Sequence, residues 1–258
     1  MADIDRKKLA AALCDIAERA GAEILEIYNS DFEVRGKTDS SPVTDADERG
    51  ERLIMAELAK VAPDIPIVAE EAASAGTVPD IEGKSFFLVD PLDGTKEFIN
   101  RNGEFTVNIA LVENRVPTVG VVYLPALSEM FWSDGESGAW RKRGDGAPEQ
   151  IACRKPGADG LVVVASRSHR DSKTDDYLAQ FKVKDLVSAG SSLKLCRVAE
   201  GAADMYPRLG RTMEWDIAAG HAVLAGAGGS VSTIEGAPLT YGKDGLDNPF
   251  FVARGLPE

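Results

Sequence analysis

The sequence predicts a mixed α/β fold with an antiparallel sheet in its N-terminal half and strand–helix alternation in its C-terminal half. Three observations carry this prediction. An apolar stripe at helical spacing opens the chain, short apolar runs follow at hairpin-like intervals over residues 86–141, and strands then alternate with helices after residue 156. With 258 residues the chain is long enough for one large domain or two that share a core. Hydrophobic residues at 44% and charged residues at 28% exclude a disordered or fibrous chain.

Leu9, Leu13, Ile16, Ala20, Ile24 and Ile27 recur on one face of a helix expected over residues 4–28. The polar stretch that follows, 35–42, reads as a loop, and its composition lets residues 36–43 be mobile. A second helix is expected over 45–60, with Thr44 or, by preference, Asp45 as its N-cap and acidic residues in its first turn. Pro63 and Pro66 close it, and residues 65–69 form a short strand that ends directly in Glu70-Glu71. The buried-type run 86–89 halts at Asp90-Pro91-Leu92-Asp93-Gly94-Thr95, and strands are expected at 106–112, 118–123, 129–133 and 138–141. The polar segment 141–156 contains Gly and Pro and marks the expected boundary between a domain of residues 1–150 and one of residues 151–258. Beyond it, strands at 161–165, 184–188 and 203–207 alternate with helices at 173–181, 191–200 and 215–225.

Composition narrows the function classes. No apolar run approaches the ~20 residues that span a bilayer, and the first eight residues lack the apolar core of a signal peptide. Three widely spaced cysteines, Cys14, Cys153 and Cys196, exclude a disulfide scaffold or a cysteine zinc site and suit the cytoplasm. A net charge of −13 repels a phosphate backbone and argues against nucleic acid as a partner.

The strongest chemical signal is Asp90-Pro91-Leu92-Asp93-Gly94-Thr95 after an apolar strand. Two carboxylates three residues apart on a turn, with the Leu92 carbonyl beside them, offer the oxygen ligands that a hard divalent cation takes. A helix starting near Thr95 would add free N–H groups for a phosphate. Glu70 sits at the end of another strand; it is a solvated surface residue unless the two strand ends are neighbours, in which case it completes a binuclear site. Asp216 opens an apolar helix, where an N-cap and a metal ligand are both open readings. Asp47, near the start of the second helix, either complements the helix dipole or acts as a base that orients a hydroxyl. Gly36-Lys37-Thr38 follows a helix and lacks the leading glycine of a P-loop, and Gly226-Ala227-Gly228-Gly229 ends a helix where a dinucleotide fingerprint would open one. His169 and Cys196 have no general-base partner visible in the sequence, so Ser–His or Cys–His catalysis is discounted.

Taken in order, Glu70-Glu71, Asp90-Pro91-Leu92-Asp93-Gly94-Thr95 and Trp215-Asp216-Ile217-Ala218-Ala219-Gly220 resemble the inositol monophosphatase superfamily of magnesium-dependent, lithium-sensitive phosphomonoesterases. Residues 93–99 and 101–109, with Ser166-Arg167-Ser168-His169 and Gly190-Ser191-Ser192-Leu193-Lys194, are similar to its CysQ branch of 3'(2'),5'-bisphosphate nucleotidases. The resemblance covers nearly the whole chain. It implies a layered αβαβα sandwich and two Mg²⁺ per site, with a third, weaker ion near Glu70 possible in this family. Glu70, Asp90 and the Leu92 carbonyl would hold one ion, and Asp90, Asp93 and Asp216 the other. Asp47 and Thr95 would orient and deprotonate the attacking water, and the Gly94 and Thr95 amides would grip the scissile phosphate.

The substrate the resemblance implies is adenosine 3',5'-bisphosphate, cleaved to AMP in the service of sulfate assimilation, with its sulfated precursor as a second candidate. An inositol-1-phosphate or sugar phosphatase is the alternative. A second phosphate and a base need cations and hydroxyls, and Ser166, His169, Ser191, Ser192, Lys194 and Arg208 are the candidates, with Lys194 foremost. Each could equally be a solvated charge or a helix cap, and Ser191 fits a cap. The expected partner is a small phosphorylated nucleotide, taken by a monomer or homodimer with no integral membrane association.

Overall fold

The computed structural model describes residues 4–36, 42–166 and 172–257. The helix α1, Arg6–Tyr28, begins where the Asp5 carboxylate accepts from the Lys8 N–H, and its apolar stripe is buried as expected. β1 (Arg35–Gly36) and β2 (Pro42–Val43) then pair antiparallel, an element hidden in the polar stretch read as loop; residues 37–41 of that loop lie outside the described residues. α2 spans Asp45–Val61, and its cap is Thr44 instead of the favoured Asp45. β3 (Ile67–Ala69) leads into α3 (Glu70–Ser74), and β4 (Phe86–Asp93) into α4 (Thr95–Ile99).

The apolar strand therefore does not halt at Asp90. It continues to Asp93 with an irregularity between the two aspartates, so both carboxylates sit on a sheet instead of a free turn. β5 (Thr106–Glu113), β6 (Val116–Leu124), β7 (Glu129–Ser133), β8 (Ala139–Arg143) and β9 (Glu149–Ile151) complete this sheet in sequence order. All neighbours are antiparallel except the β3–β4 pair. β9 lies inside the polar segment read as a domain boundary.

A second sheet combines β10 (Leu161–Ser166), β11 (Val183–Ala189), β12 (Met205–Arg208), β13 (Ser230–Thr233) and β14 (Phe251–Arg254), in the order β11-β10-β12-β14-β13. Its helices are α5 (Ser172–Leu178), α6 (Leu193–Ala199) and α7 (Glu214–Gly226).

Strand alternation sorts the side chains into layers. Phe87, Val89, Ile109 and Val121 face α1 and α2, while Phe86, Leu88, Ala110 and Val122 face α6 and α7 and, beyond them, Val164, Tyr206 and Phe251 of the second sheet. Val163, Met205 and Val252 point the other way, to Leu178 of α5. The result is helices, sheet, helices, sheet, helix: the αβαβα sandwich. Because helices cover both faces of the first sheet, its strands read as continuous apolar runs instead of alternating ones. Gly120 permits the close approach of the central helix, since a side chain there would lie 2.5 Å from the Ala219 carbonyl oxygen of α7. Among the described residues no helix is long and apolar enough to cross a membrane.

Candidate active site

β3 and β4 are adjacent and parallel, so Glu70 at the end of one lies beside Asp90 on the other. Asp90 is 2% exposed. Its carboxyl group shares a hydrogen bond with that of Glu70, and burial, followed by the repulsion of Glu70, Asp93 and Asp216, raises its pKa well above the usual carboxylate range. Asp216 is pushed well up by burial and then by Asp93 and Glu70. Asp93 is raised by burial, against the attraction of Lys194. The four carboxylates come from three separate parts of the chain and repel one another in a single region.

Backbone N–H groups fix several of them. Leu92 donates to Asp90 Oδ1 (3.0 Å), Ser192 to Asp93 Oδ2 (2.7 Å) and Met213 to Asp216 Oδ2 (2.9 Å). Asp216 therefore bonds back to the cap residue from the third position of α7 and is not itself the N-cap. No three His, Cys, Asp or Glu side chains among the described residues are gathered closely enough to hold an ion as they stand. The donor set nonetheless fits a hard cation: every ligand is oxygen, the carboxylates repel, and two already share a hydrogen bond. Beneath Asp90 and Asp93, the register partners Asn108 and Thr106 are buried with side-chain polar atoms that lack a hydrogen-bond partner among the described residues.

Asp47 lies in the first turn of α2. Its Oδ2 accepts from the Thr44 N–H (2.8 Å) and the Thr44 hydroxyl (2.9 Å), a capping box. Burial raises its pKa to about 7, with the charges of Glu71 and Glu70 adding to the effect. No hydrogen bond joins Asp47 to Thr95 among the described residues. Gly94 precedes α4 in the left-handed region, at φ 93°, which a glycine adopts without strain.

A cavity of about 260 Å³ adjoins Asp93 and Asp216 and is lined by Gly94, Thr95, Ser191, Lys194, Tyr206 and Arg208. Lys194 is only 6% exposed. Its Nζ donates to the Ser191 carbonyl (2.6 Å) and lies 5.5 Å from the centre of the Tyr206 ring. Burial, assisted by Arg208, lowers its pKa to about 8, against the pull of Asp93. Arg208 Nε is buried without a hydrogen-bond partner among the described residues. The Ser191 hydroxyl donates to the Glu104 carbonyl, and that of Ser192 to the Asp216 carbonyl (2.6 Å). Ser191 is not the cap of α6; that position is held by Ser192, whose side chain makes no capping bond. The Ser166 backbone ends β10, and His169 lies outside the described residues.

Buried glutamates escaped the sequence reading, among them Glu51 and Glu214. Glu51, one turn beyond Asp47, accepts from the Glu71 N–H (2.6 Å) and the Ala72 N–H (2.8 Å). Glu214, fully buried, accepts from the Gly242 and Lys243 N–H groups and from Lys243 Nζ (2.6 Å). The available signal was an acid within the buried stripe Asp47, Glu51, Ile54, Leu58 of α2.

Repelling carboxylates at strand and helix ends, beside a cavity floored by two cations on a five-layer sandwich, define a phosphatase of the metal-dependent kind. The chain belongs to the inositol monophosphatase family, whose model matches residues 5–249. A 3'(2'),5'-bisphosphate nucleotidase CysQ of Escherichia coli K12 is 45% identical over 242 residues, 93% of this chain and 96% of the relative. The CysQ of Buchnera aphidicola is 40% identical over 237 residues, covering 91% of this chain and 88% of its own. Among solved structures, CysQ from Bacteroides thetaiotaomicron superposes with a TM-score of 0.82 at 39% identity, covering 96% of this chain and 97% of that one. An inositol monophosphatase from Anabaena superposes at 0.78 with 25% identity, covering 97% and 92%.

Proposed function

We propose that this chain is a 3'(2'),5'-bisphosphate nucleotidase that hydrolyses the 3'-phosphate of adenosine 3',5'-bisphosphate to AMP and inorganic phosphate. The observation that carries the reading is the direct adjacency of the repelling carboxylates to the Lys194–Arg208 cavity. A substrate with two phosphates needs a charge-compensated reaction centre and a second anion site, and the two walls supply one each. The 45% identity to a CysQ nucleotidase supports the same substrate class.

On this reading Glu70, Asp90, the Leu92 carbonyl, Asp93 and Asp216 would hold two Mg²⁺ ions, with a third, weaker ion near Glu70 as a family option. Bound magnesium lowers the pKa of water and neutralises charge on the phosphate and the leaving oxygen. The chain's own groups do the rest. Thr95 orients the attacking water and Asp47 takes up its proton, a role suited by the rise of its pKa to about 7. The Gly94 and Thr95 amides hold the scissile phosphate in line while the new P–O bond forms and the bond to the 3'-oxygen breaks. Lys194 and Arg208 bind the remaining phosphate, and Ser166, His169, Ser191 and Ser192 are the further candidates for that role. The functional division falls near residue 150: residues 1–150 carry most ligands, and residues 151–258 carry Asp216 and the selectivity groups. The three cysteines are free, which fits a reducing cytoplasm.

The test is ³¹P NMR of adenosine 3',5'-bisphosphate incubated with the protein and Mg²⁺. AMP and free phosphate should accumulate and EDTA should stop them. Release of the 5'-phosphate instead, or release that continues in EDTA, would overturn the reading.

A further inference from the structure

α3 is a five-residue helix that begins at Glu70, and it begins badly. Its N-cap is Ala69, whose side chain makes no capping hydrogen bond to the first turn. Glu51 meets two N–H groups of that turn from another helix: one carboxylate oxygen accepts from Glu71 and the other from Ala72, at 2.6 and 2.8 Å. The carboxyl group is held there against burial first and the repulsion of Glu71 and Glu70 second, and only 5% of the residue is exposed. Its two oxygens meet both N–H groups at once, whereas a glutamine of the same size offers one oxygen and can replace only half of the pair.

The placement has a further consequence. Glu51 stands four residues beyond Asp47 on the same face of α2, and side chains at that spacing are neighbours. One rigid helix thus carries the proposed base at its first turn and, one turn on, the clamp on the segment that presents Glu70. We infer that Glu51 is a positioning residue that fixes Glu70 for cation binding and sets its place relative to Asp47. This inference rests on Glu70 being a metal ligand.

The experiment is calorimetric titration of Mg²⁺ into the metal-stripped full chain, comparing wild type with E51Q, E70Q and L58A. E51Q keeps the shape and one acceptor, and it should weaken Mg²⁺ binding by roughly tenfold to a hundredfold, the range for loss of a group that supports a ligand. In parallel assays its kcat should return towards the wild-type value as Mg²⁺ reaches saturation. L58A removes a fully buried side chain of the same helix and should lower the melting temperature without moving Mg²⁺ affinity. E51D is the second variant should E51Q not fold; its charge is kept but its reach is one methylene shorter, so it should also weaken Mg²⁺ binding. Wild-type affinity in the folded Glu51 variants, with E70Q weakened, would overturn the role of Glu51 and leave the metal reading standing. Wild-type affinity in E70Q as well would bring down the metal reading itself. Equal weakening in E51Q and L58A would reduce Glu51 to a stability residue.

Discussion

The two walls of the cleft solve opposite electrostatic problems. The acidic wall gathers Glu70, Asp90, Asp93 and Asp216 from a short helix, a strand and a long helix, and burial, with their mutual repulsion added to it, raises the pKa of Asp90 and Asp216 well above the usual range. Backbone N–H groups from Leu92, Ser192 and Met213 hold three of them in place. The basic wall holds two cations, Lys194 and Arg208, and burial brings Lys194 down to about 8. Among the described residues its lysine meets a backbone carbonyl and an aromatic face. Each wall therefore stores charge that its own residues do not neutralise. On the proposed function the acidic wall takes cations and the basic wall an anion, so that a phosphate ester with a second phosphate would span both.

The largest effect should come from breaking the acidic wall. Asp90→Asn should reduce phosphate release by more than the ~100-fold that loss of a supporting group costs. The metal-free variant should melt higher than wild type, because a buried repelling charge is gone. Activity within a few fold of wild type would contradict the assignment of Asp90, and melting curves with and without EDTA check the second half.

The basic wall should break differently. Lys194→Ala removes a charge-assisted bond worth roughly 1.5–3 kcal/mol, so preference for a bisphosphate over a monophosphate substrate should fall by about tenfold to a hundredfold. The ratio of kcat/KM for adenosine 3',5'-bisphosphate and adenosine 3'-monophosphate measures it. Equal losses on both substrates would place Lys194 at the scissile phosphate or in the framework.

A smaller effect separates the charged walls from the helix behind them. His221 of α7 is buried, its Nδ1 lies 3.0 Å from the Tyr241 hydroxyl, and burial lowers its pKa from 6.5 to about 4. The unfolded chain protonates this histidine near 6.5 and the folded chain only near 4. Its contribution to stability is full above pH 6.5 and is lost as pH falls through that window, on the order of 3 kcal/mol in all. Asp47 and Glu51 slope the other way. With folded pKa values raised to about 7, their contribution is full below the ordinary carboxylate range and is lost as pH rises through about 7. Denaturant unfolding of wild type and His221→Gln at pH 7.5 and 4.5 isolates the histidine. The two proteins should converge in stability at the lower pH, and a constant difference would contradict the buried neutral histidine.

How much of this the sequence disclosed follows the same division. The acidic wall was legible because Asp90, Leu92, Asp93, Gly94 and Thr95 fall in one short motif, with Glu70 directly after a strand. The layered order of helices and sheets was legible from apolar periodicity and the resemblance together. What escaped was long-range. β4 was cut short because Pro91 and two aspartates mimic a turn, whereas pairing with β5 carries the strand through to Asp93. β13 and β14 each have four residues, and β14 pairs with β12 across more than forty residues of chain, beyond any local signal. Glu214 was missed because a lone buried acid announces itself only once its backbone partners are known, and Glu51 because its place in the buried stripe of α2 was not read as a signal. The basic wall was named residue by residue, since Lys194 and Arg208 meet only after β12 is laid beside β10.

The most direct test of the two-wall account is the ratio of kcat/KM for adenosine 3',5'-bisphosphate over inositol 1-phosphate, measured with Mg²⁺ in parallel assays. The account predicts a strong preference for the nucleotide that EDTA abolishes. Equal or greater activity on inositol 1-phosphate would leave the acidic wall intact and contradict the role of the basic one.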